Sequence, residues 1–396
     1  MALGAAGRWR PWYDAARVSR TGGNPLALNL RIPGPTPCPQ EVLEASARPM
    51  IDHRGPEFRE ILLRVTSKLQ ELYQTKNDLF ILTASGTGAM EAAVVNTLSP
   101  GDKVLASTIG EFGDRFIQIA KTYGAQVEVL RTPLGKALDP DTLRKALQAH
   151  PDVKAVLITH NETSTGVTNP LEGLAKVVRE FDKLLLVDAI SSIGSIPCRV
   201  DAWGLDVVTS GSQKGWMAPP GLSMVSMSAR AWQAQAQAKT PRVYFDLAAA
   251  KRYLERGQTP WTPAVSVFYA MDVALDRIRK EGQENLFRRQ ARLAQMCRDG
   301  VKELGLSLFP DEAVASNTVT AVAVPEGVDV ERLRQLLAKE HQVVVAGGQG
   351  SLAGKLFRIG HLGYCTEEDI RGCLAALKAT LPRAGFQAVG AARRSG

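Results

Sequence analysis

From residue 79 onward the chain alternates short apolar runs with stretches of helical spacing. Residues 79–83, 103–107, 126–130, 153–159, 183–187, 207–209 and 223–226 read as strands. Between them, segments such as 113–123 and 141–149 repeat their apolar positions every three or four residues, as an amphipathic helix does. The same spacing upstream (Phe58, Ile61, Leu62, Val65, Leu69, Leu72) predicts a helix over 57–75. Strands alternating with helices predict an α/β layer built on a mainly parallel, seven-stranded sheet. Unbroken apolar runs such as 184–187 suit strands buried on both faces. Ile32-Pro33-Gly34-Pro35-Thr36-Pro37 has too much proline for a helix or strand and reads as an ordered loop.

After Pro263 the rhythm changes. Helices are predicted over 265–279 and 283–304, followed by strands at 318–324, 342–345 and 356–359 and helices at 329–340 and 367–380. This is the pattern of a smaller α+β unit. The expected organisation is a flexible N-terminal extension (1–26), a large domain (27–280), a small C-terminal domain (281–385) and a basic tail (386–396).

Composition narrows the function classes. The chain has 396 residues, 45% of them hydrophobic and 22% charged, which is ordinary for a folded protein and excludes global disorder. No apolar run approaches the roughly 18 residues that a membrane-spanning helix needs. The net charge of +8 sits largely at the ends. Arg8, Arg10, Arg17 and Arg20 against Asp14 leave +3 before residue 25, and Arg383, Arg393 and Arg394 add +3 with no acid nearby. The body is close to balance and shows neither a basic stripe nor a nucleic-acid motif, so no nucleic-acid partner is expected. Five cysteines with no CxxC pair fit neither a disulfide framework nor a zinc site, and no metal is expected. A reducing, cytoplasmic compartment is the simplest expectation. The Ala/Arg-rich first 25 residues lack the apolar core of a secretory signal but leave organellar targeting open.

Three local patterns carry chemistry. Asp188 follows the apolar run 184–187, so its carboxylate is predicted at the carboxyl end of a buried parallel strand, where open α/β sheets bind ligands. A cap or turn role is the plainer alternative. Lys214, in Ser210-Gly211-Ser212-Gln213-Lys214-Gly215, lies in a loop directly after another strand. Ser85-Gly86-Thr87-Gly88 forms a small-residue turn between a strand and a helix, where backbone N–H groups and hydroxyls approach a phosphate. It has neither P-loop nor GxGxxG spacing. Cradle, strand-end acid and loop lysine together are what pyridoxal 5'-phosphate requires: the lysine bonds its aldehyde, the acid keeps its ring nitrogen protonated, and the cradle holds its phosphate. Phe112, just past the strand 103–107, is placed to stack on the ring, core packing being the alternative.

With these patterns together, the sequence resembles the class V aminotransferases of the fold-type I pyridoxal-phosphate enzymes, in particular the alanine–glyoxylate and serine–glyoxylate (serine–pyruvate) aminotransferases. The resemblance spans about residues 28–380. It rests on Pro33-Gly34-Pro35-Thr36, Ser85-Gly86-Thr87-Gly88-Ala89-Met90-Glu91, His160-Asn161-Glu162-Thr163-Ser164-Thr165-Gly166, Val187-Asp188-Ala189, Ser210-Gly211-Ser212-Gln213-Lys214 with Ala218-Pro219-Pro220-Gly221, and Phe357-Arg358-Ile359-Gly360-His361. It implies a Schiff base at Lys214, Asp188 facing the ring nitrogen and Phe112 stacked on the ring. Thr163 is implied near the ring hydroxyl, with Ser85, Gly86, Thr87 and Gln213 at the phosphate. Thr262 would reach the phosphate from the neighbouring subunit of a homodimer, whereas Thr259 stands where relatives carry Tyr. Arg358 would bind the substrate carboxylate through two parallel hydrogen bonds, under a loop containing Gly34. The implied activity is ping-pong transamination between a small amino acid, alanine or serine, and glyoxylate or pyruvate.

Rival readings stay open. Cysteine desulfurases share the fold but carry a His before the lysine, where this chain has Gln213, and a mobile nucleophilic cysteine, for which Cys365 is the counterpart weighed. A phosphoserine aminotransferase would need further basic residues, for which His53 and Arg54 are candidates. A non-catalytic partner subunit retaining the fold is the alternative from another class.

Overall fold

The computed structural model describes residues 28–387, so the expectations for 1–26 and for the tail from 388 lie outside the described residues. The strands, in chain order, are β1 (Asn29–Arg31), β2 (Asp78–Thr83), β3 (Lys103–Thr108), β4 (Gln126–Arg131), β5 (Ala155–Thr159), β6 (Asn161–Glu162), β7 (Val167–Thr168), β8 (Leu184–Asp188), β9 (Val207–Gly211), β10 (Leu222–Met227), β11 (Val319–Ala323), β12 (Val343–Gly347) and β13 (Leu356–Gly360). Seven of them form one sheet in the order β2-β10-β9-β8-β5-β3-β4. Its strands are parallel except β10, which runs antiparallel to both β2 and β9. All seven sheet strands are ones that the apolar runs predict.

Period-two alternation explains why those runs are apolar throughout. Val156, Ile158, Leu185, Val187 and Val208 belong to the core on one face of the sheet. Their immediate neighbours Ala155, Leu157, Leu184, Leu186 and Val207 belong to the core on the other. Helices cover both faces, so each position is buried whichever way it points. The helix Gly86–Thr97 is buried nearly all round. Its small residues let its backbone come close to the strands beneath it.

A second sheet, in the order β1-β12-β13-β11, packs against the helices Gln283–Glu303, Val330–His341 and Glu367–Thr380. β1 pairs parallel with β12, so residues 29–31 join the smaller sheet and not the larger layer expected to start at residue 27. Three residues carry no periodicity of their own, and their partner lies far downstream. The helices Ala229–Gln237 and Leu247–Leu254 are also additions to the sequence reading. The first buries only Ala231, so no apolar stripe announces it.

Candidate active site

The carboxyl ends of β5, β8 and β9 meet in one register row, Thr159 beside Asp188 beside Thr209. Asp188 is the last residue of β8 and is 3% exposed. Its Oδ1 accepts from the Ile190 N–H at 3.0 Å and its Oδ2 accepts from the Thr159 hydroxyl at 3.4 Å. Two neutral donors are thin solvation for a buried anion, and burial pushes the carboxyl up to about 7. The nearby Lys214 amine pulls it down and Glu162 raises it.

Lys214 is placed by anchors on both sides of it in the chain. Trp216 is fully buried, stacks on Tyr73 with ring centres 5.8 Å apart and donates to the Ser210 hydroxyl at 3.0 Å. The Pro33–Thr36 loop straps the other side. The Thr36 N–H and hydroxyl donate to the Gln213 and Lys214 carbonyls, both at 3.0 Å. The Lys214 amine donates to the Pro33 carbonyl at 2.6 Å. Gly34 has φ +130°, and a Cβ there would fall 2.6 Å from Lys214 Nζ. Glycine therefore serves both the backbone angle and the close approach.

Burial lowers the Lys214 amine to about 8, with Asp188 opposing that shift and Arg358 and Arg115 reinforcing it. The neutral amine, the nucleophilic form, is thus well populated at mildly alkaline pH. The rate at which the cofactor-free protein takes up pyridoxal phosphate is expected to rise with pH and level off above about 8. Arg115→Met should move that midpoint upward, because removing a positive neighbour favours the protonated amine. Stopped-flow absorbance against pH checks both; a flat profile would contradict the assignment.

The turn expected to cradle a phosphate lies where β2 ends. Ser85 occupies the N-cap position of the helix Gly86–Thr97, yet its hydroxyl makes no capping bond and it is exposed. Gly86 packs on Ile190 and Gly211 so closely that a Cβ there would lie 2.7 Å from the Ile190 side chain. Gln213 Oε1 is buried with no hydrogen-bond partner. Thr87 Oγ1 accepts from Arg115 Nη1 at 3.3 Å. A helix N-terminus whose Ser85 hydroxyl makes no cap bond suits a phosphate, and the Thr87 hydroxyl, which accepts from Arg115, keeps its own O–H to donate. Together with the under-solvated Asp188 and the Lys214 amine, they fit pyridoxal phosphate at both of its ends.

Phe112 lies at the start of the helix Glu111–Thr122, half-buried, with the Arg115 guanidinium 4.7 Å from its ring centre. Glu162, fully buried, fixes this helix start: its Oε2 accepts from the N–H groups of Phe112 (3.0 Å) and Gly113 (3.1 Å), and its Oε1 accepts from Ser164. Burial raises its pKa and these donors oppose the rise. Thr163, on the hairpin between β6 and β7, donates its hydroxyl to the Ser191 hydroxyl at 2.9 Å, and its carbonyl accepts from Arg358 Nη1 at 3.2 Å.

Arg358 sits on β13, an interior strand of the smaller sheet, and is 4% exposed, so it is no edge-strand surface arginine. Thr262 is exposed and, among the described residues, its side chain makes no hydrogen bond. Thr259 is buried and turns its hydroxyl onto the Trp261 carbonyl, a turn-forming role. Arg54 donates to the Thr259 and Pro260 carbonyls and to the Gln258 side chain, clamping that same segment. Cys365 is 3% exposed and burial raises its thiol to about 11.

Arg115 and Glu162 are site residues to which the sequence reading assigns no role. Arg115 follows Phe112 by three positions, the same helix face, which is the signal that marks it. Glu162 lies inside a quoted motif, but its task, capping a helix fifty residues earlier, shows only in three dimensions.

A lysine amine and an under-solvated acid at the carboxyl edge of a mainly parallel sheet, beside a small-residue turn at a helix N-terminus, fit a pyridoxal-phosphate site. The chain belongs to the class V aminotransferases: residues 30–372 match the family model described as aminotransferase class-V. Over 90% of its length it is 44% identical to the soluble hydrogenase small subunit of Synechococcus sp. (strain PCC 6716), covering 94% of that protein. It is 35% identical to the serine–glyoxylate aminotransferase of Methylorubrum extorquens, over 92% of this chain and 93% of the relative. The crystal structure of an alanine–glyoxylate aminotransferase from Nostoc sp. superposes with a TM-score of 0.87 at 34% identity, covering 93% of this chain and 99% of that one. The fold is thus that of the fold-type I aminotransferases, the cofactor is pyridoxal phosphate, and amino and oxo acids are the substrates of the family. Among the described residues, no helix is long and apolar enough to cross a membrane.

Proposed function

We propose that this chain transfers the amino group of a small amino acid, alanine or serine, to glyoxylate or pyruvate. The arrangement that carries the reading is the Lys214 amine held on the Pro33 carbonyl, with the buried Asp188 carboxyl and the buried Arg358 guanidinium near enough to act on it. Pyridoxal phosphate supplies an aldehyde for amines and a ring that accepts electrons from the carbon being deprotonated. Asp188 would keep the ring nitrogen protonated, and that cation would relieve the burial of its own carboxylate. Lys214 would hold the cofactor aldehyde until an incoming substrate amine takes its place, and its freed amine would then move a proton at the substrate α-carbon, a task for which a pKa near the working pH suits it. Arg358 binds the α-carboxylate and fixes which C–H bond faces the lysine. Ser85, Gly86, Thr87 and Gln213 hold the phosphate, with Thr163 near the ring hydroxyl and Phe112 against the ring.

A homodimer with shared sites completes the proposal. The exposed Thr262, on a segment clamped by Arg54, supports it by standing ready to reach a neighbouring subunit's phosphate. The five free cysteines support a reducing, cytoplasmic compartment. Against desulfurase chemistry stand Gln213 before the lysine and a Cys365 thiol buried and protonated at neutral pH. Arg54 is occupied on backbone carbonyls, which leaves little for a substrate phosphate.

One observation favours a second reading: the Synechococcus relative's description as a hydrogenase subunit supports a non-catalytic partner role. The intact Asp188, Lys214 and Arg358 weigh against it. Absorbance spectra of the purified, cofactor-loaded protein separate the two. Alanine or serine is expected to convert the bound cofactor stoichiometrically to its amine form, and glyoxylate or pyruvate to restore it. A spectrum unmoved by a panel of amino acids would favour the partner role.

A further inference from the structure

Arg358 poses a problem of charge that the chain solves with neutral groups. A guanidinium has five N–H donors and stays protonated near neutral pH. Among the described residues none of the acids forms an ion pair with it. Nε and Nη2 donate to the Gly347 carbonyl at 3.0 and 2.7 Å. Nη1 donates to the Thr163 carbonyl and to the Gln349 side-chain oxygen, both at 3.2 Å. Two of these three acceptors are backbone groups held by the fold, Gly347 at the end of β12 and Thr163 on the β6–β7 hairpin.

Gln349 differs from both. It is exposed, and it sits in Gly347-Gly348-Gln349-Gly350, where three of four residues are glycine. Gly350 has φ +51°, a backbone angle that favours glycine, and lies against the Glu111 side chain, next to Phe112. The Gln349 amide oxygen is therefore the one acceptor on Arg358 that can leave without disturbing a strand or hairpin. It is also a neutral acceptor, which a carboxylate outcompetes, since hydrogen bonds to a charged partner are roughly twice as strong.

We propose that Gln349 is a displaceable cap on Arg358: its amide oxygen occupies the substrate-carboxylate position in the empty site and is pushed out by the incoming α-carboxylate. This inference rests on the reading of Arg358 as the carboxylate-binding residue. The cap keeps a buried cation hydrogen-bonded between turnovers and sets a threshold that only a charged acceptor passes. Gln349 is thus a specificity-setting residue for carboxylates, acting through Arg358.

The test uses the cofactor-loaded protein, with oxamate, a carboxylate of pyruvate's size, as the probe. Calorimetry gives its affinity for wild type, Gln349→Leu and Gln349→Glu. Leucine removes the competing acceptor, so oxamate should bind roughly 3- to 10-fold tighter, the worth of one neutral hydrogen bond. Glutamate pairs with Arg358, and binding should weaken about tenfold or more. Half-saturation by alanine or serine should follow the same two directions, whereas reaction with a simple alkylamine lacking a carboxylate should be alike in all three proteins. General damage would move both variants the same way. Oxamate binding to Gln349→Leu that is unchanged or weaker would overturn the inference, since Gln349 would then stay in place or donate to the carboxylate. If wild type binds oxamate but no amino acid changes its spectrum, the aminotransferase reading fails instead.

Discussion

Lys214→Ala is expected to abolish transamination and the visible absorption of the covalently held cofactor together. In the proposed reaction Lys214 has two tasks, bonding the cofactor aldehyde and moving the α-proton. Proton transfer by a positioned side chain alone is worth about 10²- to 10⁴-fold, so the combined loss should exceed that range. The fold should survive, because the side chain's hydrogen bond is a single one, to the Pro33 carbonyl. Trp216 and Thr36 anchor the loop without it. Circular dichroism like that of wild type, with no turnover and no visible band, is the expected result. Turnover within tenfold of wild type would contradict the assignment.

Asp188→Asn is expected to have effects of opposite sign in the loaded and the empty protein. On the proposed reading Asp188 would pair with a protonated ring nitrogen in the loaded protein, and breaking a buried ion pair costs about 3–5 kcal/mol, or roughly 10²- to 10⁴-fold in rate. In the empty protein its carboxyl has a folded-state pKa raised to about 7 from 3.8. The folded state then holds this proton where the unfolded state has lost it. The group accordingly destabilises the empty fold progressively as pH rises from about 4 to 7, and fully above 7. At about 1.4 kcal/mol per pH unit, the penalty reaches about 4 kcal/mol. The empty Asn variant should therefore melt above empty wild type at pH 8, with the gap closing toward pH 4. Thermal melts at both pH values, with and without pyridoxal phosphate, check the reversal.

The sequence makes the site's frame legible because that frame is local. An apolar run ending in Asp188, a loop holding Lys214 and a turn of small residues at Ser85 each declare themselves within ten residues. What stays hidden depends on contacts between distant segments. Glu162 caps the helix that presents Phe112, Arg358 borrows a carbonyl from Thr163, and β1 adds three residues to a sheet made otherwise from the C-terminal third. No periodicity encodes such pairings. Gln349 is the extreme case, an exposed residue in a glycine-rich loop whose meaning lies wholly in the arginine it touches.

Borohydride reduction of the cofactor-loaded protein followed by peptide mass mapping tests the central claim most directly. The account predicts one phosphopyridoxyl group per chain, on the peptide carrying Lys214, and none in Lys214→Ala. Label on a different lysine, or none in protein that retains the wild-type fold, would contradict it.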